Sequence, residues 1–359
     1  MVIVIRIFFH QAVLKRRKRN TICSVKDENN IVHFKPSLIA NYFVNYFRYI
    51  FSSTHINCGR PFLASQLPEG SLDPTYLIPD KNEVLQILKD MKLNASPGPD
   101  GFNVEFYLAT WDWIGDDVTQ LVVNFYRTGI LPPHVSDTNI ALIPKKLVPQ
   151  VPMDYRPISL CNVIYKIIAK SLANRLKPHL PDYIDPAQQA FIEGRRISDN
   201  IIIAQEISHS FALRSWNHLA FKLKIDLAKA FDRLEWSFIV SALARKGLHA
   251  HFINLIYECI SSPTFSVVIN GRPSHKFKSS RGIRQGCPMS PYLFVIAINE
   301  LSLALNEALA AHSLQGILLG PNCPPIHSLL FADDMLVCGQ ATVQEANAMA
   351  NIINHFCSM

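Results

Sequence analysis

The sequence lacks the cysteine patterns that mark small metal-binding or disulfide-stapled domains. Its eight cysteines occur singly along 359 residues, with no CxxC pair and no matching histidine pair nearby. A zinc knuckle and a disulfide framework each need such spacing, so neither is predicted. A reducing compartment fits this cysteine usage best, and we expect an intracellular protein.

A secretory signal and a membrane span are also missing from the pattern. The apolar start, residues 1–9, is interrupted by Arg6 and precedes the basic cluster Lys15–Arg19, which reverses the order of a signal peptide. The longest later apolar stretch, residues 292–311, carries two asparagines and two glutamates that would be costly in lipid. We therefore expect no membrane partner.

Repeats of fixed period and low-complexity tracts are absent, which excludes solenoids and disordered tails. Hydrophobic residues make up 49% of the chain and charged residues 18%, enough apolar material for a packed core. The net charge of +7 suits a polyanionic partner. Prolines and glycines interrupt residues 57–79, so we expect a basic, helical connector and linker over 1–79 and the main domain over 80–359.

Hydrophobic periodicity predicts several helices. An aromatic-rich stripe over residues 38–50 is expected to face a core or a partner. The predicted helices cover residues 38–50, 80–94, 118–125, 164–172, 228–246 and 290–311, with Asp80 and Ser290 as N-caps and Gly129 and Gly247 at C-terminal ends.

Period-two alternation over residues 221–226 predicts a strand that ends at Asp226. A hairpin is expected around Asn270-Gly271, and two short apolar strands flank the pair Asp333-Asp334. Helices mixed with a few short strands indicate an α+β fold.

The acidic pair Asp333-Asp334 is unusual between strands, because adjacent like charges repel unless a cation neutralises them. Mg²⁺ takes carboxylate oxygens and completes its shell with water and substrate phosphates. Asp226, at the end of another strand, could join Asp333 in holding two ions about 3.5–4 Å apart, the arrangement used in nucleotidyl transfer. The alternative is that the Asp-Asp pair caps a hairpin turn and Asp226 caps the next helix.

Five segments, in this order along the chain, resemble the LINE-type (non-LTR) retrotransposon reverse transcriptases. The segments are PGPDGF (97–102), YRPISL (155–160), DLAKAFD (226–232), RGIRQGCPMSP (281–291) and FADD (331–334). The resemblance covers residues 80–359. It implies the fingers and palm of a right-hand polymerase, with a small antiparallel sheet packed on helices, in a chain that ends before the thumb.

The resemblance implies an RNA-directed DNA polymerase that adds dNTPs to a primer 3′-hydroxyl, with an RNA template and a DNA primer or target as partners. Asp226 and Asp333 would be the principal ligands of Mg²⁺, with Mn²⁺ as the alternative ion. Asp334 would be an auxiliary acid beside the primer end.

Further residues take roles from the same resemblance. Phe231 would be a steric gate against a ribose 2′-hydroxyl, Arg156 and Lys166 would bind the triphosphate, and Gln285 and Gly286 would face the nascent base pair. Each has a plainer reading: core packing for Phe231, surface ion pairs for the two basic residues, and a loop before a helix for the last two.

A template or primer contact is implied for Gly98, Asp100, Gly101 and Arg281, although the first three also form a strong turn signal. Residues 188–196 resemble another block more loosely, also facing template or nucleotide.

Two rival functions remain open. A catalytically inactive retroelement remnant that only binds nucleic acid fits the basic surplus and the end of the chain soon after Asp334. A maturase-like splicing protein is the third reading. The cluster Lys15–Arg19 suits nonspecific nucleic-acid binding, a solvated helix face or nuclear import, and a nuclear location is expected.

Overall fold

The computed structural model describes residues 11, 14–15, 18–53, 78–213 and 220–359. The apolar start, part of the basic cluster and most of the predicted linker lie outside these residues. The described α-helices are α1 (Pro36–Ile50), α2 (Lys81–Lys89), α3 (Val104–Ala109), α4 (Trp111–Thr128), α5 (Val163–Leu176), α6 (Leu180–Tyr183), α7 (Ile197–Leu213), α8 (Ala230–Arg233), α9 (Trp236–Arg245), α10 (Ala250–Ser261), α11 (Ser290–Ala310) and α12 (Val343–Ser358). The strands are β1 (Val25–Lys26), β2 (Val32–His33), β3 (Thr138–Pro144), β4 (Tyr155–Cys161), β5 (Ala220–Asp226), β6 (Thr264–Ile269), β7 (Arg272–Pro273), β8 (Phe277–Lys278), β9 (Ser328–Phe331) and β10 (Asp334–Gln340).

These elements form two compact units, neither of which is continuous in sequence. The first contains the described residues before position 54 together with Ile78–Ala169 and Glu258–Cys287. Its main sheet has the order β4-β3-β6-β7, with β8 also paired to β6, and β3 runs parallel to β6. The second unit contains Lys170–Tyr257 and Pro288–Met359 where described, and its antiparallel sheet has the order β5-β10-β9.

The aromatic stripe of α1 belongs to the core of the first unit. Phe43 and Phe47 are fully buried, and Phe51, just after the helix, lies 5.5 Å from the ring of Phe265 and 6.4 Å from that of Phe277 between centroids. Burying one such side chain stabilises a fold by roughly 1.5–3 kcal/mol. The sequence left core and partner surface open for this stripe, and the structure selects the core.

The second unit is built around α11. Among the described residues, this helix alone is long and apolar enough to cross a membrane by length and composition, yet more than half of it is buried within the structure. Asn299, near its middle, is fully buried and accepts a hydrogen bond from the Asp185 backbone N–H at 2.7 Å. Such burial is typical of a core helix, and the expected lack of a span stays a prediction.

The α+β fold with small antiparallel sheets packed on helices is confirmed. Several boundaries differ from the predicted ones, however. The helix expected over 228–246 is two helices, because Leu234 and Glu235 are extended, at ψ 119° and 135°. The first begins only at Ala230, since Lys229 takes a left-handed conformation with φ 57°. Ser290 is the first residue of α11 and Met289 its N-cap, and α2 ends at Lys89 instead of near residue 94.

The domain boundary expected at residue 79 stays a prediction, since residues 54–77 lie outside the described part. The compact units follow a different division, with α1 in the same unit as α2, α3 and α4.

Candidate active site

Strand register gathers the predicted acids in the second unit. Asp226 ends β5 and lies directly opposite Asp334, which begins β10. Phe331, the last residue of β9, also pairs with Asp334, so Ala332 and Asp333 form the turn between β9 and β10. Directly opposed residues of antiparallel strands have Cβ atoms about 4.5–5.5 Å apart. Asp333 therefore lies in a hairpin turn, as the structural alternative expected. The same turn also brings Asp333 close to Asp226 and Asp334, as the resemblance implied.

All three carboxylates are exposed at this end of the sheet. The Lys224 ammonium, two residues before Asp226, lies 2.8 Å from Asp334 Oδ1. The hydrogen bond with Asp334 raises the pKa of Lys224, and the negative charges of Asp334, Asp226 and Asp333 raise it further. One ammonium thus lies in the field of all three acids, which marks a local concentration of negative charge.

The donor chemistry fits a hard divalent cation. Opposed like charges destabilise a strand pair, and Lys224 offsets only part of that repulsion, so a cation would be stabilising here. In the described residues, no group of three or more His, Cys, Asp or Glu is arranged to hold a metal ion. Mg²⁺ commonly uses one or two carboxylates plus waters and substrate phosphates, a requirement that Asp226 and Asp333 satisfy.

Phe231 lies in the short helix α8, five residues after Asp226. Its ring is half-buried and stacks on Phe294 of α11, with centroids 4.4 Å apart and planes 10° from parallel. Flat stacking against a core helix fixes the orientation of the ring. The expected packing of Phe231 is therefore observed. The same packing restricts the ring, as a steric gate would require.

Gln188 and Arg195, from the segments 188–191 and 195–196, differ from the expectation that they face template or nucleotide. Gln188 is fully buried and bonds to the backbone of Ala332. Arg195 donates four hydrogen bonds of 2.7–3.1 Å to the carbonyl oxygens of Pro181, Ile184, Asp185 and Gln188. Burial lowers the pKa of Arg195. Both side chains are committed to the protein's own backbone, so for them the expectation was wrong.

The residues predicted to contact the triphosphate, Arg156 and Lys166, and the base pair, Gln285 and Gly286, lie in the first unit. Arg156 is exposed on β4, where alternate residues are buried, and Lys166 Nζ lies 3.5 Å from the Ser96 carbonyl oxygen. The Gln285 carbonyl accepts a 2.8 Å hydrogen bond from the Ser159 N–H of the same strand β4. Gly286 has φ 103°, which favours glycine.

The turn at residues 97–102 is held by Asn162. Its side-chain oxygen accepts from the Asp100 N–H at 3.2 Å, and a Cβ on Gly98 would stand 2.2 Å from that oxygen. Gly98 is therefore required by packing. Gly101 has φ 79° in open space, and Asp100 is exposed beside it, so only these two remain available to a template.

Arg281 is tied to α1 at the level of its side chain. Its Nε donates to the Ile50 carbonyl at 2.8 Å, and its backbone N–H donates to Phe51 at 3.1 Å. At least this part of the guanidinium serves the fold, and its predicted contact with template or primer stays untested.

Arg284 was missed as a key residue by sequence reasoning. It is 6% exposed, and its guanidinium lies 3.7 Å from the ring centroid of Tyr165. It donates to the Ser136 carbonyl at 3.0 Å, Thr138 Oγ1 at 3.0 Å and the Cys259 carbonyl at 2.7 Å. Arginine is seldom buried without such partners. The sequence feature that could have pointed to Arg284 is its place inside the segment RGIRQG.

Comparison with known proteins finds relatives in a transposon and in a retrotransposable element. The chain is 29% identical over 344 residues to the transposon TX1 uncharacterized 149 kDa protein of Xenopus laevis, covering 94% of this chain and 26% of that protein. It is 27% identical over 289 residues to a Pol polyprotein of the type-1 retrotransposable element R2 of Popillia japonica, covering 79% and 38%. The chain thus spans well under half the length of these relatives.

Solved structures give a more distant likeness. An apo telomerase of Candida tropicalis shares 14% identity at a TM-score of 0.42, covering 70% of this chain and 52% of that one.

The family model described as reverse transcriptase (RNA-dependent DNA polymerase) matches residues 143–358, more than half of the chain. This span includes four of the five motifs and all three acids. The resemblance to LINE-type reverse transcriptases is confirmed by this match and by the R2 and TX1 relatives. The chain therefore belongs to the reverse transcriptase (RNA-dependent DNA polymerase) family.

Proposed function

We propose that this chain acts as the RNA-directed DNA polymerase domain of a LINE-type retrotransposon. It would extend a DNA primer 3′-hydroxyl on an RNA template, with dNTPs as the second substrate. The observation that carries the proposal is the register that sets Asp226 opposite Asp334, with Asp333 in the adjoining turn. In the terms of the family, the second unit would be palm and the first unit fingers.

Asp226 and Asp333 would hold Mg²⁺, with Mn²⁺ as the alternative, and Asp334 would stand beside the primer end. A bound divalent ion would neutralise charge on the triphosphate and stabilise the leaving pyrophosphate. The exposed carboxylates offer hard oxygen ligands on a rigid sheet end. Lys224 keeps part of their mutual repulsion in check until a cation binds.

Phe231 would exclude ribonucleotides, because a ring held flat against Phe294 does not turn aside for a 2′-hydroxyl. Arg156 would grip phosphate oxygens with its planar fork, and Lys166 would add a point charge. Gln285 and Gly286 would lie against the nascent base pair.

Asp100, Gly101 and Arg281 would contact template or primer, and Gly98 would shape the turn that carries the first two. The net charge of +7 suits RNA and DNA as partners. A nuclear location is also part of the proposal, and the basic cluster Lys15–Arg19 suits nuclear import.

Primer extension tests the function directly. The full chain is incubated with an RNA template, an annealed DNA primer, dNTPs and Mg²⁺, beside Asp333→Ala and a control, Asp182→Ala, which changes an exposed aspartate of α6. We expect synthesis by the parent and the control and a loss of about 10³-fold in Asp333→Ala, since loss of one transition-state stabilising group typically lowers kcat by 10²–10³.

Equal incorporation by Asp333→Ala and its parent would contradict the metal assignment. Salt-sensitive RNA binding without any Mg²⁺-dependent synthesis would favour the inactive remnant instead.

A further inference from the structure

A buried glutamine holds the turn that carries the proposed catalytic acid. Gln188 is 0% exposed. Its Oε1 accepts a hydrogen bond from the Ala332 N–H at 2.9 Å, and its Nε2 donates to the Ala332 carbonyl at 3.4 Å. One side-chain amide therefore serves both polar groups of a residue 144 positions away, as a neighbouring strand would.

The residue it holds has an uncommon backbone. Ala332 has φ 55° and is buried, although it carries a Cβ that disfavours the left-handed region. Such a conformation persists where the surroundings over-determine it. A buried peptide group also needs partners for its N–H and carbonyl. Gln188 meets both requirements at the residue directly before Asp333.

The base of this clamp is itself fixed. The Gln189 N–H donates to the Leu330 carbonyl at 3.1 Å, and the Leu330 N–H donates to the Ala187 carbonyl at 2.9 Å. Asn200 Nδ2 adds a 2.9 Å hydrogen bond to the same Leu330 carbonyl. The backbone around Gln188 thus pairs with β9, and this pairing holds the Gln188 side chain in place.

We infer that Gln188 is a positioning residue for the proposed polymerase reaction: by fixing the left-handed peptide at Ala332, it sets where the carboxylate of Asp333 stands relative to Asp226. The inference rests on the proposed function for its catalytic consequence. Gln188 touches no substrate, so its effect passes through the turn.

Gln188→Met tests the inference, since it keeps length and burial but removes both hydrogen bonds to Ala332, together with the one that Oε1 accepts from the Ala190 N–H. Gln205→Met is the matched control, the same change at an exposed position of α7 in the same unit. We expect faster hydrogen exchange at the Ala332 amide in Gln188→Met only. Mn²⁺ binding in the presence of dTTP, followed by electron paramagnetic resonance, should weaken about tenfold.

In primer extension, Gln188→Met should lower kcat and raise the Mg²⁺ concentration for half-maximal rate, while the Kd for primer-template stays that of the parent. Adding Ala332→Gly should recover part of the lost rate, because glycine adopts positive φ without a Cβ penalty. If Gln188 had only a structural role, Gln188→Met would lower the thermal stability, and adding Ala332→Gly would not restore the rate of synthesis. Gln188→Asn, whose amide falls one methylene short, replaces Gln188→Met if that variant does not fold.

Unchanged exchange at Ala332, equal losses in the Gln205→Met control, or no recovery with Ala332→Gly would each overturn the inference. The exchange measurement does not need synthesis. A parent that makes no DNA, combined with faster exchange in Gln188→Met, would therefore reject the proposed function and leave the clamp in place.

Discussion

Two sites, one in each unit, treat charge in opposite ways. In the first, the guanidinium of Arg284 is buried, with three hydrogen bonds of 2.7–3.0 Å and the face of Tyr165 around it. In the second, Asp226, Asp333 and Asp334 are exposed at the end of a sheet, and the turn between them is held by an uncharged amide.

The difference separates charge that holds a fold from charge that performs chemistry. A buried ion contributes only when its hydrogen bonds are satisfied inside the protein, and removing one side of that arrangement is expensive. An ion that must meet a cation and a polyphosphate needs solvent access, and its position then has to come from the backbone. The Arg284 site joins segments of the first unit through its charge, whereas the acidic end of the second unit's sheet exposes its charge to solvent.

Arg284→Met is expected to give the largest change in stability. The substitution removes three charge-assisted hydrogen bonds, while the Ser136 and Cys259 carbonyl oxygens each keep one bond, from the Thr138 and Tyr165 hydroxyls. We therefore expect a loss of about 3 kcal/mol in the free energy of unfolding. Calorimetry or chemical denaturation of the full chain measures it. Arg284→Lys, which keeps the charge but not the planar fork, should lose less, and an unchanged melting temperature in Arg284→Met would break the comparison.

Acid sensitivity sharpens the comparison at a second buried ion in the first unit. Burial pushes the pKa of Asp137 upward, but hydrogen bonds from Lys276, Thr264 and His134 outweigh it and leave the pKa below its ordinary value of 3.8. A lowered folded-state pKa stabilises the fold above the unfolded-state pKa and loses that contribution as pH falls below it. Asp137→Asn should cost about 1 kcal/mol at neutral pH.

The same variant should flatten the loss of stability as the pH falls below the ordinary aspartate pKa of 3.8. Denaturant unfolding at a series of pH values gives the slope, and a variant with the parent's acid dependence would contradict the assignment.

Lys224→Met should give the smallest effect. Removing its ammonium makes the potential at the three acids more negative, so the Mg²⁺ concentration for half-maximal synthesis should fall about twofold to threefold at low salt and approach the parent's at high salt. Lys222→Met, two residues earlier on β5, is the control. Identical shifts in both variants would show a general charge effect instead of a contact with Asp334.

Local signals in the sequence predicted what local physics decides. Asp80 caps α2 by accepting from the Glu83 N–H at 2.7 Å, Gly129 ends α4 at φ 67°, and Asn270-Gly271 turns β6 back on itself. The strand ending at Asp226 and the turn at Asp333 were predicted on the same grounds, because alternation and flanking apolar runs are readable within a few residues.

Contacts between distant segments were not readable in this way. The roles of Gln188 and Arg284 depend on partners 144 and 148 residues away, and nothing in either residue's neighbourhood announces the pairing. The break between α8 and α9 was missed for a related reason, since the apolar spacing continues across Leu234 while the backbone does not. The roles of Arg156, Lys166 and Gln285 could not be read from local pattern, because they concern contacts with nucleotide and nucleic acid.

The aromatic core of the first unit bears on how this chain can be divided into fragments. A fragment trimmed to the span recognised by the family model, residues 143–358, would discard α1 and most of β3 while keeping Phe265 and Phe277, the rings against which Phe51 packs. Without α1 and Phe51 packed against them, these rings would form an exposed hydrophobic patch that is prone to aggregation. Insolubility of such a minimal fragment would then be a consequence of where it was cut, and it would not count against the proposed function.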